Sequence, residues 1–371
     1  MYQDSRPTTI SLTAVESIRE AIIPLFATID TTLDWPEPGH FRLRGHFLRD
    51  TADCFDDLRA IFERYGFTPM LRQEDGGLAL IGLPHVFNPP ASNWVINAVL
   101  LIVTIFSTMY VAALGETGDY SLALSNIWLG LPFSISIMVI LGAHELGHYF
   151  AARHHRVPVT LPYFIPMPFS IIGTMGAFIQ LKAPVKNKRA LFDVGAAGPL
   201  AGLVFAVPLL LYGLATSPVG PLPTTGYMLE GNSILYSLAK ILVLGQMLPA
   251  NGLDVSLNQL AWAGWVGLLV TGLNLIPVGQ LDGGHVSYVL FGQRAKQFFW
   301  PVIIALALLT VLTGTMMWVF WIFLLFFFGR AYAVPLDDVT PLDSRRRALA
   351  IFTLFLFVLV FVPIPFQIVM P

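Results

Sequence analysis

His144-Glu145-Leu146-Gly147-His148 stands inside residues 131–153, an apolar run of the length that crosses a bilayer. Three titratable side chains at membrane depth are costly unless they pair or bind something. The two histidines, at i and i+4, share one face of a helix, and HExxH on a helix is the recurrent way to offer two imidazoles to zinc with a glutamate beside them. A hydrogen-bonded structural cluster is the plainer reading, and the same cost weighs against it. The stretch is read as a metal site and the run around it as a membrane helix, which makes the chain a polytopic α-helical membrane protein.

The composition points the same way. Of 371 residues, 55% are hydrophobic and only 12% charged, against about a quarter charged in an average soluble protein. A net charge of -2 argues neither for nucleic acid nor for an acidic partner. Cys54 is the single cysteine, which excludes an intramolecular disulfide; its plain reading is a small buried apolar residue in a helix. Residues 1–10 carry Asp4 and lack a basic segment followed by an apolar core, so membrane insertion is expected through internal spans.

Residues 1–90 hold no run of spanning length and end in Pro89-Pro90, which reads as a linker to the membrane domain, 91–371. A first helix is expected over 11–28, a strand over 41–47, and a helix over 53–65 on the spacing of Phe55, Leu58, Ile61 and Phe62. Strands over 68–71 and 78–83 flank Asp75-Gly76-Gly77. That β-α-β-β order is part of a small N-terminal α+β ferredoxin-like soluble domain, for which a binding or regulatory role is the default. Beyond it, apolar runs at 94–115, 131–153, 192–215, 258–277, 298–330 and 347–364 predict about six to eight spans. Gly314, between Thr313 and Thr315, would split the overlong fifth run; one long tilted helix is the alternative. The stretch 233–247, interrupted by Lys240, reads as an interfacial or re-entrant helix.

Cytoplasmic loops collect Lys and Arg. With seven spans and the N-terminus inside, the inner loops hold Arg153, Arg156, Lys182, Lys186, Lys188, Arg189, Arg294, Lys296, Arg330 and Arg345 to Arg347, while the outer loops hold only Lys240. The N-terminus and the metal site are therefore expected toward the cytoplasm, in the plasma membrane of a prokaryote.

A catalytic zinc takes three protein ligands and keeps a fourth position open. Asp282 offers the missing carboxylate, in a stretch where Pro277, Gly279, Gly283 and Gly284 break the helix, and irregular backbone at membrane depth lines a cavity. The second and fourth spans run in the same direction, which puts His144, His148 and Asp282 in the same half of the membrane; a loop cap is the bland reading of Asp282. Asp193 reads as a helix N-cap, and His154, His155 and Arg156 as solvated or headgroup-facing. His285 reads as a helix-start residue, with a place beside the metal ligands as the alternative, and Gly231-Asn232-Ser233 reads as the cap of the next helix.

HELGH followed by Asn274-x-x-Pro277-x-x-x-Leu281-Asp282-Gly283 resembles the site-2 protease family of intramembrane zinc metallopeptidases, M50-type. The resemblance implies His144, His148 and Asp282 as ligands of Zn2+, Glu145 as catalytic base and Asn274 near the scissile peptide. Residues 192–202 are similar to the family's glycine-rich third core helix, and 161–181 to its re-entrant β-structure, with 173–181 as an edge for an unwound substrate. The implied function is an intramembrane endopeptidase acting within or near the spans of single-span membrane proteins, as in regulated intramembrane proteolysis; its partners are those proteins and the lipid bilayer. Gly45-His46-Phe47-Leu48-Arg49 is similar to the soluble domain of the plastid and cyanobacterial yellow-green, gravitropism-deficient branch, where the motif is a tighter Gly-Asn-Leu-Arg. The alternative is a catalytically silent membrane chaperone or a metal-handling transporter of the same fold. Intact Glu145 weighs against the first, and the lack of a second histidine or carboxylate cluster on the outer side weighs against the second.

Overall fold

The computed structural model describes residues 11–74 and 77–369. The N-terminal ten residues and the expected Asp75-Gly76 turn lie outside the described residues. The chain divides into two compact units, the first taking in the residues up to Pro90 together with Lys182–Leu191 and Val334–Asp343.

This first unit begins with α1 (Leu12–Ala21), β1 (Phe26–Leu33), β2 (Phe41–Phe47), α2 (Thr51–Arg64), β3 (Thr68–Glu74) and β4 (Gly77–Leu83). The strands form one antiparallel sheet in the order β1-β2-β4-β3. Asp50 caps α2 by accepting from the Ala52 N–H, and Leu58 and Phe62 pack with Val15, Ile18, Phe41 and Leu80 into a small core. The helix expected over 11–28 stops at Ala21. Pro24 cannot continue it, and the β-branched residues Thr28, Ile29, Thr31 and Thr32 carry the chain into β1, which pairs with β2 from Phe26↔Phe47 to Leu33↔Phe41.

The two added segments complete the far edge of the sheet. Leu71 on β3 donates to the Leu336 carbonyl at 2.8 Å, Leu336 donates to Val185 at 3.0 Å, and the Leu336 side chain closes a second core around Phe55 and Leu71. Arg72 donates to the Pro335 and Leu336 carbonyls, both at 3.0 Å. Asp337 is buried, accepting from the Val339 and Thr340 N–H groups and from the Thr340 hydroxyl.

The second unit holds α3 (Trp94–Thr117), α4 (Tyr120–Ser125), α5 (Leu131–His154), β5 (Tyr163–Pro166), β6 (Thr174–Phe178) and most of α6 (Lys188–Thr216). It continues through β7 (Val219–Pro221), β8 (Tyr227–Glu230), α7 (Ile234–Leu244), β9 (Leu253–Val255), α8 (Gln259–Asn274), α9 (Asp282–Phe291), α10 (Phe299–Thr313), α11 (Met317–Phe328), α12 (Ser344–Val360) and β10 (Phe366–Val369). Four helical stretches among the described residues are long and apolar enough to cross a membrane: Trp94–Thr117, Ile127–His154, Lys188–Thr216 and Asp282–Thr313. The chain is a membrane protein, and its exposed apolar side chains, such as Val311 and Leu312 at 81% and 79% exposure, suit a hydrocarbon surround. Gly314 ends α10 with φ +69° and separates it from α11, as its position in the overlong run predicts. By contrast α8 is wrapped by protein, with Ala261, Trp265, Val266 and Leu268 fully buried.

β5 and β6 form a two-stranded antiparallel hairpin within 161–181, where the resemblance implies β-structure. It lies along α3: Asn97 in the first turn donates to the Leu161 and Pro162 carbonyls at 2.9 and 3.0 Å, and Ser107 halfway along donates to Gly173 at 2.6 Å. These side-chain bonds satisfy carbonyls of irregular backbone that water cannot reach in a bilayer. Ser233 caps α7 by accepting from the Tyr236 N–H. Lys240 is fully buried, its ammonium 3.1 Å from Glu230 Oε1, 3.0 Å from the Leu248 carbonyl and 4.4 Å from the Tyr236 ring centre.

Candidate metal centre

α5 presents His144 and His148 one turn apart, and the break after α8 turns the chain so that Asp282 opens α9 against them. His144 Nε2 lies 3.1 Å from His148 Nε2 and 3.2 Å from Asp282 Oδ2; His148 Nε2 lies 3.3 Å from Asp282 Oδ1. Both histidines are buried.

α6 reaches the pair through its glycines. A Cβ placed at Gly198 would sit 2.1 Å from His148 Nε2, and one at Gly147 would sit 2.5 Å from the Ala197 carbonyl. Only glycine allows α5 and α6 to approach this closely, as the small residues of 192–202 suggest. The Val194 carbonyl on the same helix is 2.6 Å from His148 Nδ1. A carbonyl only accepts, so the proton sits on Nδ1 and the Nε2 lone pair of the neutral ring faces the other donors.

Three electron-pair donors converging in this way need positive charge at their centre. A tetrahedral metal with bonds of about 2.0–2.1 Å sets its ligand atoms about 3.3–3.4 Å apart, close to the 3.1–3.3 Å found here. Among the described residues this is the group of histidine and carboxylate side chains whose donor atoms all lie close enough for one ion. Glu145 Oε1 is 4.0 Å from His144 Nε2, while Glu145 Oε2 is sealed from solvent without a hydrogen-bond partner. Asn274, the last residue of α8, brings its amide nitrogen to 3.4 Å from His144 Nε2. The donor set and the unpartnered carboxylate oxygen fit a divalent metal with one position left open.

The site opens on a cavity of about 220 Å³ lined also by Ala177 and Phe178 of β6, by Ile179, and by Leu281 and His285. Among the described residues β6 pairs with β5 alone, so its other edge has no strand partner there.

Two expectations near the site are corrected. Asp193 does not cap a helix: α6 already begins at Lys188, where Asn187 accepts from the Ala190 N–H at 3.0 Å. Asp193 instead accepts from Arg346 Nε at 2.8 Å, Arg346 Nη2 at 2.7 Å and His155 Nε2 at 2.7 Å. His155 is therefore paired rather than solvated. No sequence signal marked these partners, which come from helices far apart in the chain. His285 lies in the first turn of α9, as its helix-start reading has it, and also lines the metal cavity; its spacing of three from Asp282 puts both on one helix face.

Residues 132–313 match the model of Peptidase family M50. Among similar curated proteins, "Probable zinc metalloprotease EGY2, chloroplastic" of Arabidopsis thaliana is 29% identical over 357 residues, covering 92% of this chain and 63% of that protein. "Probable zinc metalloprotease EGY1, chloroplastic" of Oryza sativa subsp. japonica is 30% identical over 301 residues, covering 74% and 52%. The Arabidopsis thaliana protein of the latter name is 32% identical over 253 residues, covering 67% and 46%. The chain thus spans about half to two-thirds of the length of these relatives, and they fall in the branch to which Gly45–Arg49 pointed. No solved structure matches the chain.

Proposed function

From a chain that carries a peptidase family M50 domain of the site-2 protease type in residues 132–313, we propose an intramembrane zinc endopeptidase that hydrolyses peptide bonds within or near the spans of membrane proteins. The observation that carries this reading is the convergence of His144, His148 and Asp282 at 3.1–3.3 Å beside the unpartnered Glu145 Oε2. His144, His148 and Asp282 would hold Zn2+. Zinc held there would polarise a scissile carbonyl and acidify the attacking water.

Glu145 would accept the proton of the attacking water and return it to the leaving amine, and its burial keeps bulk water from competing for the carboxylate. The Val194 carbonyl holds the His148 ring in the tautomer that offers Nε2, and Asn274 lies where its amide can bond the peptide. A substrate helix must unwind before attack. The free edge of β6 offers its backbone to the unwound segment as an added strand, which delivers the peptide past Ala177 and Phe178 into the cavity. The substrates are single-span membrane proteins, and the basic loops orient the site toward the cytoplasm. The N-terminal unit is ferredoxin-like: its α-β-β-α-β-β order with sheet order β1-β2-β4-β3 is what a β-α-β-β-α-β chain becomes when its first strand is moved to the end.

The test compares membranes from cells carrying the wild type and Glu145→Gln by proteomics. Single-span proteins should accumulate uncut in the variant, with one zinc per chain retained by both. Continued cleavage by Glu145→Gln would sink the reading. For the strand pairing, Ala177→Pro should slow cleavage about tenfold or more without loss of zinc, since proline removes a backbone donor from the edge; an unchanged rate counts against it.

A further inference from the structure

Among the described residues, two side-chain atoms of the metal cavity's lining are sealed from solvent and have no hydrogen-bond partner: Glu145 Oε2 and His285 Nδ1. Hydrolysis accounts for the glutamate. Nothing described so far accounts for the histidine.

His285 follows Asp282 by three residues on α9, so the two side chains project from one helix face. Its ring has space because position 195 of α6 is glycine; a Cβ there would lie 2.8 Å from the His285 Cβ. It makes no hydrogen bond to Asp282, His144 or His148, so it does not orient a ligand in the way outer-shell partners do. The Nδ1 atom is enclosed with no acceptor in reach, whereas Nε2 is not sealed and the residue lines the cavity. Among backbone groups, an enclosed N–H without an acceptor is rarer than an enclosed carbonyl short of a donor, and the same cost favours a bare lone pair on the enclosed Nδ1. The neutral ring therefore carries its proton on Nε2, as a donor presented to the space where a substrate would lie.

We propose that His285 is a further catalytic residue of the peptidase proposed above: neutral throughout, it donates the Nε2 hydrogen to the scissile carbonyl oxygen as negative charge develops there. The inference rests on the peptidase reading. A donor aimed at developing charge raises kcat more than it lowers KM.

The experiment uses the full chain, zinc-loaded in detergent micelles, with fluorescein-labelled casein as an unfolded probe, and His285→Phe, His285→Leu and His285→Gln beside the wild type. Zinc per chain and the absorption spectrum of the cobalt-substituted protein are read alongside kcat and KM. His285→Phe and His285→Leu should each lower kcat about 10²-fold with KM changed by about twofold or less, with zinc content and cobalt spectrum as in the wild type. His285→Gln, which keeps an N–H donor, should recover kcat to within about tenfold of wild type. Wild-type kcat in either apolar variant overturns the proposal, and so does loss of zinc or a changed cobalt spectrum in all three, which would make His285 a positioning residue for the metal. Glu145→Gln is run in parallel: if it cleaves as fast as wild type, or wild type does not cleave, the peptidase reading itself has failed.

Discussion

Lys240 and His148 lie in the same apolar unit and both are buried, yet their surroundings differ in one respect. Among the side chains of Lys240, Glu230 and Tyr236 themselves no sealed polar atom lacks a partner, although Asn232 Oδ1, two residues after Glu230, does: the ammonium meets a carboxylate, a carbonyl and an aromatic face, and the Tyr236 hydroxyl donates to Glu230 at 2.8 Å. Around His148 the hydrogen bonding is incomplete, with Glu145 Oε2 and His285 Nδ1 left over. A cluster that satisfies itself holds elements together, here α7 with β8 and the loop at Leu248. A cluster that does not is waiting for something the protein does not supply. The difference distinguishes these two clusters, although sealed atoms without a partner also occur at Asn97, Asn232 and Ser287.

Breaking each cluster should therefore have opposite consequences. The largest effect is expected from Asp282→Ala, which should abolish cleavage to background and drop zinc below one per chain, while the unfolding midpoint of the zinc-free protein in detergent stays near that of zinc-free wild type. Gly198→Ala comes next: its methyl group must displace His148, and zinc affinity, read by competition with a chromogenic chelator, should fall about 10–100-fold. Lys240→Ala should do the reverse. It leaves buried Glu230 without its cation, held by the Tyr236 hydroxyl alone, a loss of about 3–5 kcal/mol in denaturant titrations, with zinc affinity and kcat per folded molecule unchanged. Adding Glu230→Gln to Lys240→Met should recover most of that loss, the smallest net effect of the series. A zinc defect in Lys240→Ala would erase the distinction between the two clusters.

The metal donors were legible because HExxH is local: i,i+4 spacing on a helix fixes two ligands wherever the helix lies. Asp282 was legible for a different reason, since a carboxylate among helix breakers inside an apolar chain has few other uses. The apolar runs located the long helices, and Gly314 the break between α10 and α11. What stayed hidden depends on partners distant in sequence. Lys240 read as an interruption of an amphipathic helix because nothing local announces Glu230, and Asp193 read as a cap because Arg346 is far along the chain. The strand at Phe26–Leu33 was missed because its apolar residues also fit a helix; pairing with β2 decides between them.

The N-terminal unit has a consequence for how the protein is made. Its first ninety residues leave the ribosome early, but the core around Phe55 and Leu71 is closed by Leu336, and Leu71 donates to a carbonyl on that same late segment. Until Val334–Asp343 is synthesised, this unit carries an unsealed apolar patch and an open strand edge, the features that invite aggregation or chaperone capture in a nascent chain. A gene truncated after Pro90 would encode that exposed intermediate permanently, not a free-standing domain.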